Sequence, residues 1–343
     1  MKKIALLLIA SSLSVGMFGC AMAPVDPGSF SLQQMEVRDG VDIKKLGDRI
    51  DLSRKTRGRS QVVILPYEGK KISAADGLQG QLKISITEAG GEIIDRGLSK
   101  QLSEEVALIE SMGKSKYKGT SLANLAIKTD VTNVAFEKRF SEVRYWKDKE
   151  GKSHKTPASC SYKAEVSAVM SFYDVNPLAL KKTVTISGAK RSSTETRNSS
   201  CPISQAQMDS LIALAGQDAI LDEVDKIKNV FSPKGIIDEY RMDEGGKTSI
   251  FRTTLSPEIG ASPGRKVKIW KDVSYTNQFG KLIKERTVIA EAEVVEAVGG
   301  SSDSWILVKK IEHAKKVKLG DTVEVDFKRS WKERMMDGAG RVL

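Results

Sequence analysis

An α+β protein is predicted: a sandwich of helices on a mixed sheet, followed by a small all-β, barrel-like domain. Two features of the chain predict it. Between Gln61 and Asn229, short apolar β-branched runs alternate with stretches whose apolar residues recur every three or four positions, the spacing of one helix face. After Ser232-Pro233-Lys234-Gly235 that spacing disappears, and short alternating runs are separated by glycine-containing turns.

Residues 1–19 read as a secretory signal. Met1-Lys2-Lys3 is a basic start, Ile4 to Ile9 an apolar core too short to span a bilayer, and Ser11 to Gly19 is small and weakly polar. Met17-Phe18-Gly19-Cys20 resembles a bacterial lipobox, which implies lipidation of Cys20 as the mature N-terminus. The other reading is ordinary cleavage after Gly19 or near Ala21, leaving a free cysteine. Ala21 stands where an inner-membrane retention signal carries aspartate, so the outer membrane is favoured. Residues 20–58 are polar and contain proline, which predicts a tether between lipid and domain. Asp39 to Ile50 carries apolar residues that fit no assigned element.

Residues 59–231 form the first predicted domain. Val62 to Leu65, apolar on both faces and stopped by Pro66, reads as a buried strand. Asp76 is a candidate N-cap for a helix through about Glu88, ended by Gly90-Gly91. Glu92 to Arg96 is a short strand, Gly97 to Met112 a helix with Leu98, Leu102, Val106 and Ile109 on one face, and Leu122 to Phe136 a long strand. Glu137 to Thr156 is almost wholly polar and reads as an exposed turn joining two strands, with Phe136 to Trp146 as a twisted, solvent-facing strand end. Tyr162 to Ile186 reads as a hairpin turning at Asn176-Pro177. Ser204 to Asn229 is the clearest helix, with Ser204 as N-cap candidate.

Residues 232–329 form the second. Its predicted strands are Gly235 to Met242, Thr248 to Thr253, Lys266 to Trp270, Thr287 to Val298, Trp305 to Ile311 and Thr322 to Phe327, with no helix among them. Residues 330–343 are basic and lack strand pattern, so they read as a tail.

The order strand, helix, strand, helix, strand, carried by Val63 to Tyr67, Ile93 to Arg96 and Ala126 to Val134, resembles two related groups. These are the curli-secretion-channel (CsgG-like) outer-membrane lipoproteins and the TolB N-terminal domain. The hairpin Tyr162 to Ile186 extends that resemblance, which covers about Gln61 to Asn229. More weakly, the phrases G-A-S-P-G-R-K-V-K-I and V-K-L-G-D-T-V-E-V resemble the C-terminal part of the flagellar outer-membrane accessory protein called T. In the curli channel, the connections matching Glu137–Thr156 and Arg191–Ser200 carry the membrane hairpins of a pore. Here the first holds Lys138, Arg139, Arg144, Lys147, Lys149 and Lys152, and the second is rich in hydroxyls. Lysine or arginine facing lipid at mid-bilayer costs roughly 2–4 kcal/mol each. The reading is therefore the family's periplasmic body without its pore.

Cys160 and Cys201 are the other two cysteines, and they flank that hairpin near its open end. An even pair in an exported chain predicts a disulfide. A metal or redox pair is the rival, without a CxxC spacing and with only His154 and His313 in the chain. The net charge of +11 is compatible with anionic lipid, peptidoglycan or acidic partners, though most of it reads as a solvated face. Nucleic acid is not expected: export removes the protein from it, and basic residues do not alternate with stacking aromatics. No nucleophile–base signature, zinc motif or phosphate loop occurs, so no enzyme, cofactor or metal is expected. The resulting expectation is an outer-membrane lipoprotein that scaffolds an envelope machine (secretion, surface appendage or flagellar ring) through protein partners, with self-association compatible. The alternative is a lipoprotein activator of peptidoglycan synthesis. A tether of about 35 residues reaches only about 30–35 Å, which favours assembly at the membrane.

Overall fold

The computed structural model describes residues 24–38, 41–56, 58–94, 96–112, 123–298 and 302–329. The predicted signal, Cys20 and the tail from 330 lie outside them. Two short elements come first, β1 (Ser31–Gln33) and α1 (Ile43–Thr56). The α/β part then runs β2 (Gln61–Ile64), α2 (Ile72–Glu88), β3 (Glu92–Ile93), α3 (Arg96–Met112) and β4 (Leu125–Ser141). It continues with a small hairpin of β5 (Arg144–Lys147) and β6 (Ser153–Thr156), then β7 (Ser159–Val175), β8 (Leu178–Glu195), α4 (Gln205–Asp222) and α5 (Val224–Lys228).

The mixed sheet has the order β3-β2-β4-β7-β8. β2 is parallel to both neighbours, and the other pairs are antiparallel. Val62 and Val63 on β2 are both fully buried, because helices cover both faces of the sheet at this point. Val62 meets the layer of α2 and α4. Val63 joins Leu65, Ala126 and Tyr173 under Leu102 and Val106 of α3. Further along, β7 alternates: Cys160, Tyr162, Ala164, Val166, Ala168, Met170 and Phe172 are buried, while Ser161, Lys163, Glu165 and Ser167 lie on the opposite face.

α4 starts at the expected cap. The Ser204 hydroxyl accepts from the Gln207 N–H and the Gln207 side chain returns to the Ser204 N–H, a capping box. α2 begins a turn before the expected Asp76, at Ile72, because Ala74 and Ala75 are buried and extend its packed face. α4 lies close to both neighbours. A Cβ on Gly188 of β8 would fall 2.2 Å from the Ala219 nitrogen and 2.4 Å from the Ala215 oxygen. Both obstacles are helix backbone, so a side chain there must displace α4. Gly188→Val should cost about 3 kcal/mol, visible as a lower urea midpoint; an unchanged midpoint would contradict this packing.

The second part contains β9 (Lys234–Met242), β10 (Ser249–Thr253), β11 (Lys266–Thr276), β12 (Leu282–Val295), β13 (Ser304–Val308), α6 (Ile311–Ala314) and β14 (Thr322–Val325). The strands follow the order β9-β10-β13-β12-β11-β14, and β14 pairs back to β9. The result is a closed six-stranded antiparallel barrel. The stretch expected to remain strand to Ile311 instead turns into the single turn of α6, with Ala314 and Val317 tucked against the barrel core.

Three other expectations are corrected. The segment 20–58, read as a tether, is folded from Pro24 onward wherever it is described. β1 pairs with β9, Val25 bridges Ala297, and Val37 bridges Leu319. α1 buries Leu46 against Gly320. Arg38 grips Asp321 with two hydrogen bonds, and Arg54 pairs with Asp238 and Asp303. A polar composition concealed this, since most of α1 is exposed and a single leucine anchors it. The connection Glu137–Thr156 is not a plain turn, because β4 runs on to Ser141 and β5 and β6 pair as a hairpin. The expected change of domain at 231/232 falls just before β9, yet one apolar core extends across it. Asn229 accepts from the Phe327 N–H at 2.9 Å, Asp225 pairs with Arg329 at 2.7 Å, and the Ser232 hydroxyl donates to the Val325 carbonyl.

Candidate functional site

β4, β7 and β8 extend as a long arm whose lower face carries α2 and α4. α3 covers the opposite face over β2 and the adjoining ends of β4 and β7, where it meets Ala126 and Tyr173, and leaves the outer part of that face uncovered. Its register places Ser167 opposite Ser187 and Val169 opposite Thr185. Further out, Lys163 lies opposite both Arg191 and Glu137. This surface carries hydroxyls along its length and charge at its outer end. β8 closes the sheet order and pairs with no further strand among the described residues. Lys181, Lys182, Lys190 and Arg191 punctuate it. Such charges discourage a second identical edge and leave the strand available to a partner of opposite sign.

The β5–β6 hairpin stands beyond the helix layer. Tyr145 is 75% and Trp146 52% exposed. Trp146 stacks on His154 across the hairpin with ring centres 4.5 Å apart, and His154 Nε2 meets Asp148 Oδ2 at 2.7 Å. The hydrogen bond from His154, with backbone N–H groups of Lys152 and Glu150, holds the Asp148 carboxyl below its usual range. These cross-strand contacts are what an isolated ribbon needs to persist in water. A second hairpin, β11–β12, ends in a turn where Asn277 Oδ1 accepts from the N–H groups of Phe279 and Lys281, both at 3.0 Å. Phe279 is 83% exposed at its tip.

A compact polar group joins Glu110 of α3 to Lys128 and Tyr173 of the sheet. Lys128 Nζ and the Tyr173 hydroxyl each donate to Glu110 at 2.6 Å. Burial disfavours charge on both ionic partners, but their mutual hydrogen bond prevails, lowering Glu110 and raising Lys128. Burial first, then Glu110, pushes the Tyr173 hydroxyl well above its ordinary value. A phenol held that firmly gives up its proton poorly, and every polar atom of the trio is engaged. The group fastens α3 to the sheet. No set of three or more His, Cys, Asp or Glu side chains able to hold a metal occurs among the described residues.

Cys160 and Cys201 are joined, with Cα atoms 5.5 Å apart. The bond links the start of β7 to the loop before α4, at the outer end of the arm. Sequence reasoning missed the free edge of β8, the two aromatic hairpins and the anchoring of the N-terminal segment. The signals present were Tyr145-Trp146 between cations and Phe279 beside Gly280.

No protein-family model matches the sequence, and no curated protein does. Among solved structures, a minor lipoprotein from Acinetobacter baumannii is similar. Its identity is 10% and its TM-score 0.25, over 50% of this chain and 90% of that one. At that score the likeness carries no argument. No described helix is long and apolar enough to cross a membrane.

Proposed function

We propose that the protein is a non-enzymatic scaffold of the bacterial outer membrane, held by lipid on Cys20, which organises partner proteins on its strands. One observation carries the reading: a free strand edge and two exposed aromatic hairpins project from a body whose N-terminal segment is fixed to the barrel. Cys20 precedes Val25 by five residues, a span of at most about 18 Å. Val25 is bonded into the barrel wall, its N–H donating to Glu296 at 2.8 Å and its carbonyl accepting from Val298 at 3.0 Å. A lipid on Cys20 therefore keeps the barrel beside the membrane. The Phe279 hairpin lies at the opposite end of β12, roughly 45 Å along the strand, where it faces away from the anchoring point. The short anchor weighs against the rival function of activating peptidoglycan synthesis, which requires reach. The cationic hairpin at Glu137–Thr156 supports a body that leaves the bilayer sealed.

A photo-crosslinking residue at Thr185, exposed on β8, tests this in whole cells. The wild-type chain should give discrete protein adducts in the membrane fraction. Cys20→Ser should move the protein to the soluble periplasm and lose them. Membrane fractionation unchanged by Cys20→Ser, or no adduct at Thr185, would overturn the reading.

A further inference from the structure

A cleft of about 520 Å³ opens between α1, the sheet and the barrel. Four cations line it: Arg49 from α1, Arg59 from the turn before β2, Lys181 from β8 and Lys234 at the start of β9. Its one carboxylate, Asp174, is taken by Lys181 at 2.7 Å. Arg49, Arg59 and Lys234 form no ion pair among the described residues. Leu52, Val230 and Ile236 supply an apolar wall beside them.

Three cations without an ion-pair partner in one recess repel one another, and an anion placed among them relieves that repulsion. A carboxylate carries one negative charge and would leave two of them unanswered. A phosphate carries about −1.5 to −2 and presents several acceptor oxygens, which arginine forks meet in pairs. The apolar wall fits a ligand with a hydrocarbon portion. We propose that this cleft is a binding site for a phosphate-bearing amphipathic molecule, with Arg49, Arg59 and Lys234 receiving the phosphate.

The surroundings of Lys234 agree. Lys234 lines the cleft, and desolvation there lowers its pKa; Lys181 and Arg286 of β12 push the same way, while Glu324 of β14 and Asp174 oppose them. An anion in the cleft reverses this balance, so binding takes up protons at alkaline pH and weakens as pH rises through the Lys234 titration.

Calorimetric titration of the full folded chain with inorganic pyrophosphate, glycerol phosphate and dihexanoyl phosphatidic acid tests the site. Saturable binding is expected, weakened at least tenfold by Lys234→Gln and by the Arg49→Ala/Arg59→Ala pair, and unaltered by Lys315→Gln on a distant exposed surface. These side chains are surface-accessible, and an unchanged melting curve verifies that each variant folds. Tighter binding of the phosphatidic acid than of glycerol phosphate identifies an amphipathic phosphate; equal binding shows that the apolar wall takes no part and overturns the amphipathic assignment. Absence of saturable binding by all three probes, or an equal loss with Lys315→Gln, overturns the proposal.

Discussion

Arg38→Ala should destabilise the protein by about 3–5 kcal/mol, the usual consequence of leaving a buried charge without its partner. Asp321 is only 3% exposed. Arg38 meets it with both ends of its fork, Nε to Oδ1 at 3.0 Å and Nη2 to Oδ2 at 2.5 Å. The Lys318 N–H supplies a third bond at 2.8 Å. Burial nonetheless raises the Asp321 pKa above its ordinary value, with Arg38 working against that rise. A carboxyl whose folded pKa exceeds its unfolded one binds protons more readily when folded. Stability from this group therefore falls as pH rises through the window between the two values. Without Arg38 the folded pKa climbs further, so the loss should be greatest at neutral pH and shrink on acidification. Urea midpoints of wild type and variant at pH 7.5 and pH 5 measure this. Arg38→Ala/Asp321→Asn should recover part of the loss, because the charge itself is gone. Equal midpoints at neutral pH would mean that the N-terminal segment is not part of the barrel.

That segment also marks where the sequence was least legible. Periodicity revealed elements that bury a whole face: Val62 and Val63 under two helix layers, and the Leu211, Ala215 and Ala219 stripe of α4. The turn chemistry of Gly245-Gly246 and Leu319-Gly320-Asp321 revealed the barrel strands. α1 offers only Leu46 to the core, and β1 is three residues long, so neither leaves a pattern above that of a polar linker. Their attachment comes from two arginines and isolated bridges, interactions between residues 184 to 283 positions apart that local spacing cannot express.

The surfaces were harder still. A strand shows from its alternation which face is buried, but not whether its edge finds a neighbour. The free edge of β8 emerged only with the sheet order. The anion cleft gathers Arg49, Arg59, Lys181 and Lys234 from four separate stretches of chain, each of which alone reads as solvated charge. Cysteines behave differently, since export and an even count already narrow the options to a bridge.

Opening the Cys160–Cys201 bridge should cost roughly 4 kcal/mol in the chain-entropy account, given a separation of 41 residues. The loss should be felt first at the outer end of the arm. Cys201 has φ of 48°, in the left-handed region that non-glycine side chains seldom adopt, so the freed residue gains by relaxing. Around it the loop is held by the Tyr162 hydroxyl to the Pro202 carbonyl at 3.0 Å, by Lys138 Nζ to the Ser200 carbonyl at 3.0 Å, and by local bonds of Asn198 to Ser200 and Cys201. The capping box at Ser204 follows directly, so the first turn of α4 should fray with the loop. Cys160→Ser/Cys201→Ser should lower the urea midpoint and accelerate amide exchange from Asn198 through Gln207, while Ile237 and Phe251 in the barrel keep their relative protection. Non-reducing peptide mapping of the exported protein should recover the two cysteines as one linked species. Two freely alkylated thiols in the native protein, or a midpoint untouched by the double substitution, would refute the clamp.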